Sequence, residues 1–347
     1  MGKKEIENSI VSFEKLLSKL KKGEYAPFYV LMGEEPFYSD LFIKEIEDRA
    51  LTPEEKGFNQ TIVYGSDISA AAVVEASRRY PMMAARQVVI VKEAQKLDKQ
   101  EDLEHYFASP LSSTLLVLAF NGKSLDKRGK LYKQAVKNGE VFESYSLYPE
   151  MVYTWIEKYL RTKGFSIVPD AAMILSEYCG TELRKLALEL DKLTVTLEAG
   201  KKTIDAGDVQ QNTGISRDYN AFELTKALSF KDSAKAIKIV RHFGASPKQF
   251  PLVVILAALF SHFSRLLRYH AIMMKNPKAS QSEIADAMGI RPFFIPEYNM
   301  AFRNYPLIKC MEAISLIKKY DSLGKGMGRG EAQDGELLFE LVFRILH

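Results

Sequence analysis

The sequence has few cysteines, no long apolar run and little net charge. Only two of its 347 residues are cysteines, Cys179 and Cys310, and they lie far apart. Two unclustered cysteines exclude a zinc module and are typical of a reducing compartment. The longest apolar run, Leu252–Phe260, is too short to span a bilayer, and the segment MGKKEIENSIVSFEKLL lacks the apolar core of a signal peptide. We therefore expect a cytoplasmic protein with no membrane partner.

The overall composition is that of a soluble globular protein, with 47% apolar and 27% charged residues. The length allows two or three domains. A net charge of +4 neither requires nor excludes a nucleic-acid partner. The five histidines do not cluster with cysteines or carboxylates, and no serine or cysteine nucleophile motif is present. The sequence therefore predicts no metal site, no cofactor and no active site of its own.

The N-terminal part alternates between apolar runs and segments of helical length. The runs are APFYVLM, QTIVYGS, QVVIVKE, STLLVLAF and EVFES, and the segments between them include Asp67–Arg79 and Leu125–Lys137. Such alternation predicts a parallel sheet with helices on both faces. We assign this α/β domain to residues 1–145.

The rest of the chain has mainly helical patterns. Short helices are predicted over residues 146–212, which we interpret as a small helical domain. Residues 213–347 are again helical and form a third, all-α domain. Within it, LVVILAALF (252–260) is apolar all round, so the helix should be deeply buried, either in its own domain or against a neighbouring subunit.

The first strand leads through one glycine into a helix, where α/β proteins often bind nucleotides. A phosphate-binding loop needs several glycines and a lysine, but this junction offers only Gly33, followed by Glu34 and Glu35. The two carboxylates occupy the helix N-terminus that an anion would need. The later strand VVIVKE ends in Lys92, where an ATPase of this architecture would have a magnesium-binding aspartate. These four residues predict a degenerate nucleotide site.

Two further segments have open interpretations. In NGKSLDKRGKLYK, the lysines Lys130, Lys133 and Lys137 share a helix face, and Lys123 precedes them. They form either a solvated face or a contact to DNA or a partner. In YPMMAARQ, Pro81 ends a helix, and Met82 and Met83 follow in the connection to the next strand. The methionines either fill the core or project outwards.

The order of these elements resembles the delta subunit family of the bacterial DNA polymerase III clamp loader. The matching stretches run from about residue 26 to the C-terminus and are FYVLMGEEPF, YPMMAARQVVIVKEAQKL, NGKSLDKRGKLYK, GTELRKLALELDKL, YNAFELTKAL and ELLFELVFRIL. The resemblance implies an AAA+-like α/β domain, a helical lid and a helical collar. It also implies that the subunit binds no ATP, and that Met82 and Met83 occupy the positions of the hydrophobic pair that enters the clamp pocket.

The resemblance implies a function and partners. The subunit would bind the ring-shaped sliding clamp (beta) and open one ring interface during DNA replication, so that the clamp can be loaded on primed DNA. Its partners would be the ATPase subunits (gamma/tau) and delta-prime, joined through the collar. It would then belong to a DNA-directed DNA polymerase, a nucleotidyltransferase, without catalysing a reaction itself. The alternatives are an ATP-hydrolysing AAA+ enzyme acting on DNA with divergent motifs, and a separate DNA-binding scaffold.

Overall fold

A computed structural model describes residues 2–213, 219–328 and 330–347 of the protein. The chain divides into two compact units, Met1–Tyr148 and Pro149–His347. The expected three-domain division at residues 145 and 212 stays a prediction, because the second unit is not divided further.

The first unit is built on a five-stranded sheet in the order β2-β3-β4-β1-β5, in which every neighbouring pair is parallel. The strands are β1 (Phe28–Gly33), β2 (Gln60–Tyr64), β3 (Gln87–Lys92), β4 (Thr114–Ala119) and β5 (Glu140–Ser144). The helices are α1 (Lys3–Lys21), α2 (Pro36–Arg49), α3 (Pro53–Asn59), α4 (Ala70–Ser77), α5 (Leu103–Ala108) and α6 (Lys130–Asn138). Strands β1 and β4 are buried along their whole length, as continuous apolar strands covered on both faces must be.

All five predicted strands of this unit are confirmed, whereas two predicted helices are shorter than expected. The helix expected over Asp67–Arg79 is α4, which begins after Ser69, whose Oγ accepts a hydrogen bond from Ala72 N–H. The helix expected from Leu125 begins only at Lys130, because the chain first turns through a hydrogen bond from Gly129 N–H to the Asp126 carbonyl.

The second unit is helical apart from one short pair of strands. Its elements are α7 (Pro149–Thr162), β6 (Ser166–Ile167), α8 (Pro169–Cys179), α9 (Leu183–Thr196), β7 (Thr203–Ile204), α10 (Ala206–Thr213), α11 (Ala221–Ser229), α12 (Ser233–Ala245), α13 (Leu252–Lys275), α14 (Gln281–Met288), α15 (Ile295–Asn304), α16 (Leu307–Gly324) and α17 (Asp334–Leu346). Strands β6 and β7 pair in parallel. They were not predicted, because strands of two residues are too short to show alternation.

Helix α13 is buried on only one side within the second unit, so the cover of LVVILAALF by a neighbouring subunit stays a prediction. One side packs into the core of the unit, but Val253, Val254 and Phe260 each expose at least half of their surface. By length and composition α13 could also cross a membrane, although core helices of soluble domains pass the same test. Its buried residues recur at helical spacing from Leu252 to His270, which is the pattern of a core helix.

Candidate functional site

The junction between β1 and α2 is closed by backbone from β5. Gly33 has a φ of +113°, and a Cβ added to it would lie 2.1 Å from the Ser144 carbonyl oxygen. That distance is far below any normal contact, so only glycine fits. The backbone of β5 at Ser144 therefore packs directly against the glycine of this junction.

The backbone donors of the junction already have partners. A phosphate-binding loop works because several consecutive N–H groups are free to point at the ligand. Here Pro36 has no N–H, and the other groups donate within the chain: Gly33 to the Lys123 carbonyl (3.1 Å), Glu34 to the Ser144 carbonyl (3.0 Å), Glu35 to Ser144 Oγ (3.2 Å) and Phe37 to Glu35 Oε1 (3.0 Å). No N–H group between residues 33 and 37 is therefore left for a phosphate.

The charges of the junction are also unfavourable to an anion. Glu35 is buried and caps α2 with its own carboxylate, and Glu34 Oε2 accepts a hydrogen bond from Ser146 N–H at 3.3 Å. Lys92, at the end of β3, lies 3.4 Å from Glu47 Oε1. The structure thus brings Gly33, Glu34 and Glu35 together and gives Lys92 an internal partner. Their role as a degenerate nucleotide site remains a prediction.

The connection between α4 and β3 presents two apolar side chains to water. Met82 is 62% exposed, and Met83 is fully exposed. The core-filling interpretation of these methionines is therefore wrong for the chain alone. Met83 also has a φ of +54°, an uncommon conformation for a residue with a side chain. The loop holds both methionines outside the core.

A buried asparagine fixes the backbone of this loop. Asn59, the last residue of α3, is 1% exposed. Its Oδ1 accepts a hydrogen bond from Met82 N–H at 2.6 Å, and its Nδ2 donates to the Met82 carbonyl at 2.9 Å. The same Nδ2 donates to the Glu55 carbonyl at 3.0 Å. Sequence reasoning missed Asn59, because nothing in the local pattern indicates a contact 23 residues away.

Both ends of the loop are held as well. The buried Gln87 donates from Nε2 to the Ala76 carbonyl at 3.0 Å, which ties the start of β3 to the last turn of α4. The Arg86 guanidinium lies 4.1 Å from the centre of the Tyr25 ring, a cation–π contact. The methionines are therefore presented by a loop that is fixed at three points.

The predicted basic face lies on the surface of the same unit. Lys130, Lys133 and Lys137 are exposed on α6, and Lys123 is exposed in the loop that follows β4. Within the part of the chain that the structure describes, none of these four ammonium groups forms an ion pair. Lys123 contributes its backbone carbonyl to the closed junction, so the backbone of this residue lies next to Gly33 in the fold. Whether these lysines contact DNA or a partner stays a prediction.

The second unit contains a cavity of about 240 Å³ between α8, α11, α13 and α15, which is mostly apolar but also lined by Glu177, His262 and Glu297. Burial raises the pKa of Glu177 and of Glu297 to about 7, in the first case against the opposing charge of Arg265. Burial also lowers the pKa of His262 to about 3, so its imidazole is neutral at neutral pH. Among the described residues no group of three or more His, Cys, Asp or Glu could hold a metal ion. The raised pKa of the two glutamates makes the stability of this unit depend on pH.

The parallel five-stranded sheet with its helices and the helical second unit confirm the expected fold class, an α/β domain followed by helical regions. The family model of the DNA polymerase III delta subunit matches residues 29–144, and the model of that subunit's C-terminal domain matches residues 218–344. The two matches cover most of the chain. The chain belongs to the DNA polymerase III delta subunit family.

Relatives in two bacteria are similar over nearly the whole chain. The DNA polymerase III subunit delta of Bacillus subtilis is 26% identical over 335 residues, which cover 93% of this chain and 93% of the relative. The probable DNA polymerase III subunit delta of Aquifex aeolicus is 23% identical over 316 residues, covering 86% and 85%. The solved structure of the Bacillus subtilis DNA clamp loader delta protein (YqeN) aligns with a TM-score of 0.53 at 22% identity, over 96% of this chain and 99% of that one. The structural likeness supports the same fold.

Proposed function

We propose that this chain binds the sliding clamp and opens one interface of the ring so that the clamp can be loaded on primed DNA. The observation that carries the proposal is the pair of exposed methionines, Met82 and Met83, on a loop fixed by Asn59. Membership of the delta subunit family supports the clamp-loader role. A rigid apolar projection suits a protein partner with an apolar pocket, because little ordering entropy is lost on binding.

We further propose that the chain acts without ATP. The N–H groups of the junction between β1 and α2 donate within the chain, and two carboxylates stand at the N-terminus of α2. An ATP-hydrolysing enzyme with divergent motifs, the alternative function, would need free donors at this place. In the proposed complex, ATP is bound by partner subunits.

We assign the contact with the ATPase subunits and delta-prime to residues 213–347 of the helical second unit, as collar helices. Val253, Val254 and Phe260 leave an apolar face of α13 exposed, and such a face favours another protein as its cover. The lysines Lys123, Lys130, Lys133 and Lys137 are the proposed contacts to DNA or to a partner, since they are exposed cations. A cytoplasmic location is part of the same proposal.

The experiment that tests the proposal mixes the purified chain with its own sliding clamp on a sizing column, with and without ATP and magnesium. We expect co-elution in both conditions, and calorimetry with ATP should detect no binding to the isolated chain. Absence of a complex with the clamp would contradict the clamp-binding function. Micromolar ATP binding would instead favour the alternative enzyme.

A further inference from the structure

Large apolar side chains on the surface of the first unit concentrate at one edge of its sheet. Among the described residues of this unit, nine such side chains are exposed, and six of them fall between residues 58 and 83. These six are Phe58, Ile62, Tyr64, Tyr80, Met82 and Met83. Strand β2, which carries Ile62 and Tyr64, is an edge strand of the sheet. Such clustering is typical of a protein-binding surface.

Phe58 belongs to this cluster but is not part of the proposed methionine anchor. It is 76% exposed, in the last turn of α3, and therefore leaves most of an aromatic ring in water. The next residue, Asn59, holds the backbone of Met82 by two hydrogen bonds of 2.6 and 2.9 Å. Those bonds require the end of α3 and the methionine loop to be neighbours in space.

We infer that the clamp-binding surface is composite: Phe58 contacts the sliding clamp together with Met82 and Met83, and Asn59 positions the two segments relative to each other. This inference rests on the proposed clamp-binding function. The clamp is the occupant that the structure favours, because Phe58 is continuous with the proposed anchor. Aromatic residues next to a central apolar anchor commonly carry a large part of an interface's affinity.

Asn59 is a positioning residue in this account, since it is buried and cannot touch the clamp. Its amide supplies an acceptor to the N–H and a donor to the carbonyl of one residue, Met82, which a carboxylate cannot do. Asn59→Asp keeps the size of the side chain but places a negative oxygen against the Met82 carbonyl. The loop should then lose its fixed conformation while both methionine side chains remain.

The test measures the affinity of the whole chain for its own sliding clamp, together with its thermal unfolding. Four variants are compared with the wild type: Phe58→Ala, Asn59→Asp, the double change Met82→Ala with Met83→Ala, and the control Val11→Ala. Val11 is also an exposed apolar residue of this unit, but it lies on α1, which packs near β5 at the opposite edge of the sheet. Phe58→Met, which keeps an apolar side chain, serves as the conservative variant.

We expect Phe58→Ala to weaken clamp binding at least about fivefold with little change in melting temperature. The control Val11→Ala should change the affinity for the clamp less than about twofold. Phe58→Met should recover most of the lost affinity. Asn59→Asp should weaken binding and speed amide hydrogen exchange at Met82, a readout that a purely global loss of stability would not confine to this loop.

Two outcomes separate the inference from the function on which it rests. If the double methionine change weakens binding and Phe58→Ala does not, the composite surface is wrong and the methionine anchor stands. If the double change leaves binding unaltered, the proposed anchor is wrong and the composite surface falls with it.

Discussion

Two connections in the first unit use their backbone in opposite ways. In the junction between β1 and α2, the available N–H groups of residues 33–37 donate within the chain, and a glycine is in close contact with β5. In the loop between α4 and β3, hydrogen bonds fix the backbone but the methionine side chains stand in water. One connection is closed to a ligand, and the other is rigid and open.

The difference teaches where a binding function can reside in this fold. A site for a phosphate needs unpaired backbone donors, and the first connection has none among residues 33–37. A site for a protein pocket needs apolar side chains held outside the core, and the second connection supplies them. We therefore expect a partner to contact the loop that carries Met82 and Met83, and we expect no phosphate to bind at the junction.

The largest expected effect is a loss of stability from a substitution in the closed junction between β1 and α2. Gly33→Ala places a Cβ 2.1 Å from the Ser144 carbonyl oxygen at a φ of +113°, so the free energy of unfolding of the first unit should fall by about 3 kcal/mol or more. Gly23→Ala is the matched control, because Gly23 also has a positive φ but no atom within 4 Å of the added Cβ. Gly23→Ala should lower the free energy of unfolding by only about 1 kcal/mol.

Calorimetry on the whole chain can separate the transitions of the two units. The single tryptophan of the sequence, Trp155, lies in the second unit, so its fluorescence identifies the transition that does not belong to the first. Equal costs for the two glycine changes would show that β5 does not close the junction.

A second expected effect is a pH dependence of the stability of the second unit, which arises at its cavity and has no counterpart in the junction of the first unit. The pKa of Glu177 and of Glu297 is raised to about 7, above the ordinary 4.5, so the folded unit binds more protons than the unfolded chain between these values. As far as these two groups are concerned, stability should therefore be fully present below about pH 4.5 and should fall as the pH rises through about 7.

Thermal unfolding followed by Trp155 fluorescence at about pH 5 and about pH 8 measures this change. Glu177→Gln should reduce the pH dependence, because an amide does not ionise, and Glu198→Gln, a change at an exposed residue, should leave it intact. The same dependence in wild type and Glu177→Gln would contradict the assignment to this cavity.

The smallest expected effect is a difference in stability between two variants of residue 83, in the loop between α4 and β3. Met83 has a φ of +54°, which glycine adopts without strain and alanine does not. Met83→Gly should therefore be about 1 kcal/mol more stable to unfolding than Met83→Ala, although both lack the side chain. The two variants should lose the same amount of clamp affinity. A less stable glycine variant would show that the loop does not hold residue 83 in this conformation.

The sequence predicts the fold better than it predicts the working surface. Apolar runs identify all five strands of the main sheet. In β1, β3 and β4 the run is continuous because these strands are buried on both faces, whereas β2 and β5 are only partly buried. The glutamates after Gly33 also indicate an unusual junction. In contrast, the oxygen atoms that accept the hydrogen bonds of the junction come from residues 123 and 144, and the amide that fixes Met82 comes from Asn59. Contacts between residues so distant in sequence leave no local pattern.

The most direct test of the account is the affinity of the double variant Met82→Ala with Met83→Ala for the sliding clamp, measured beside its melting temperature. Burying both methionines in a partner's pocket contributes about 2–4 kcal/mol, a factor of roughly 30 to 1000 in affinity. We predict at least a tenfold weaker complex and an almost unchanged melting temperature, because both side chains are exposed in the free chain. Unaltered affinity would contradict the account.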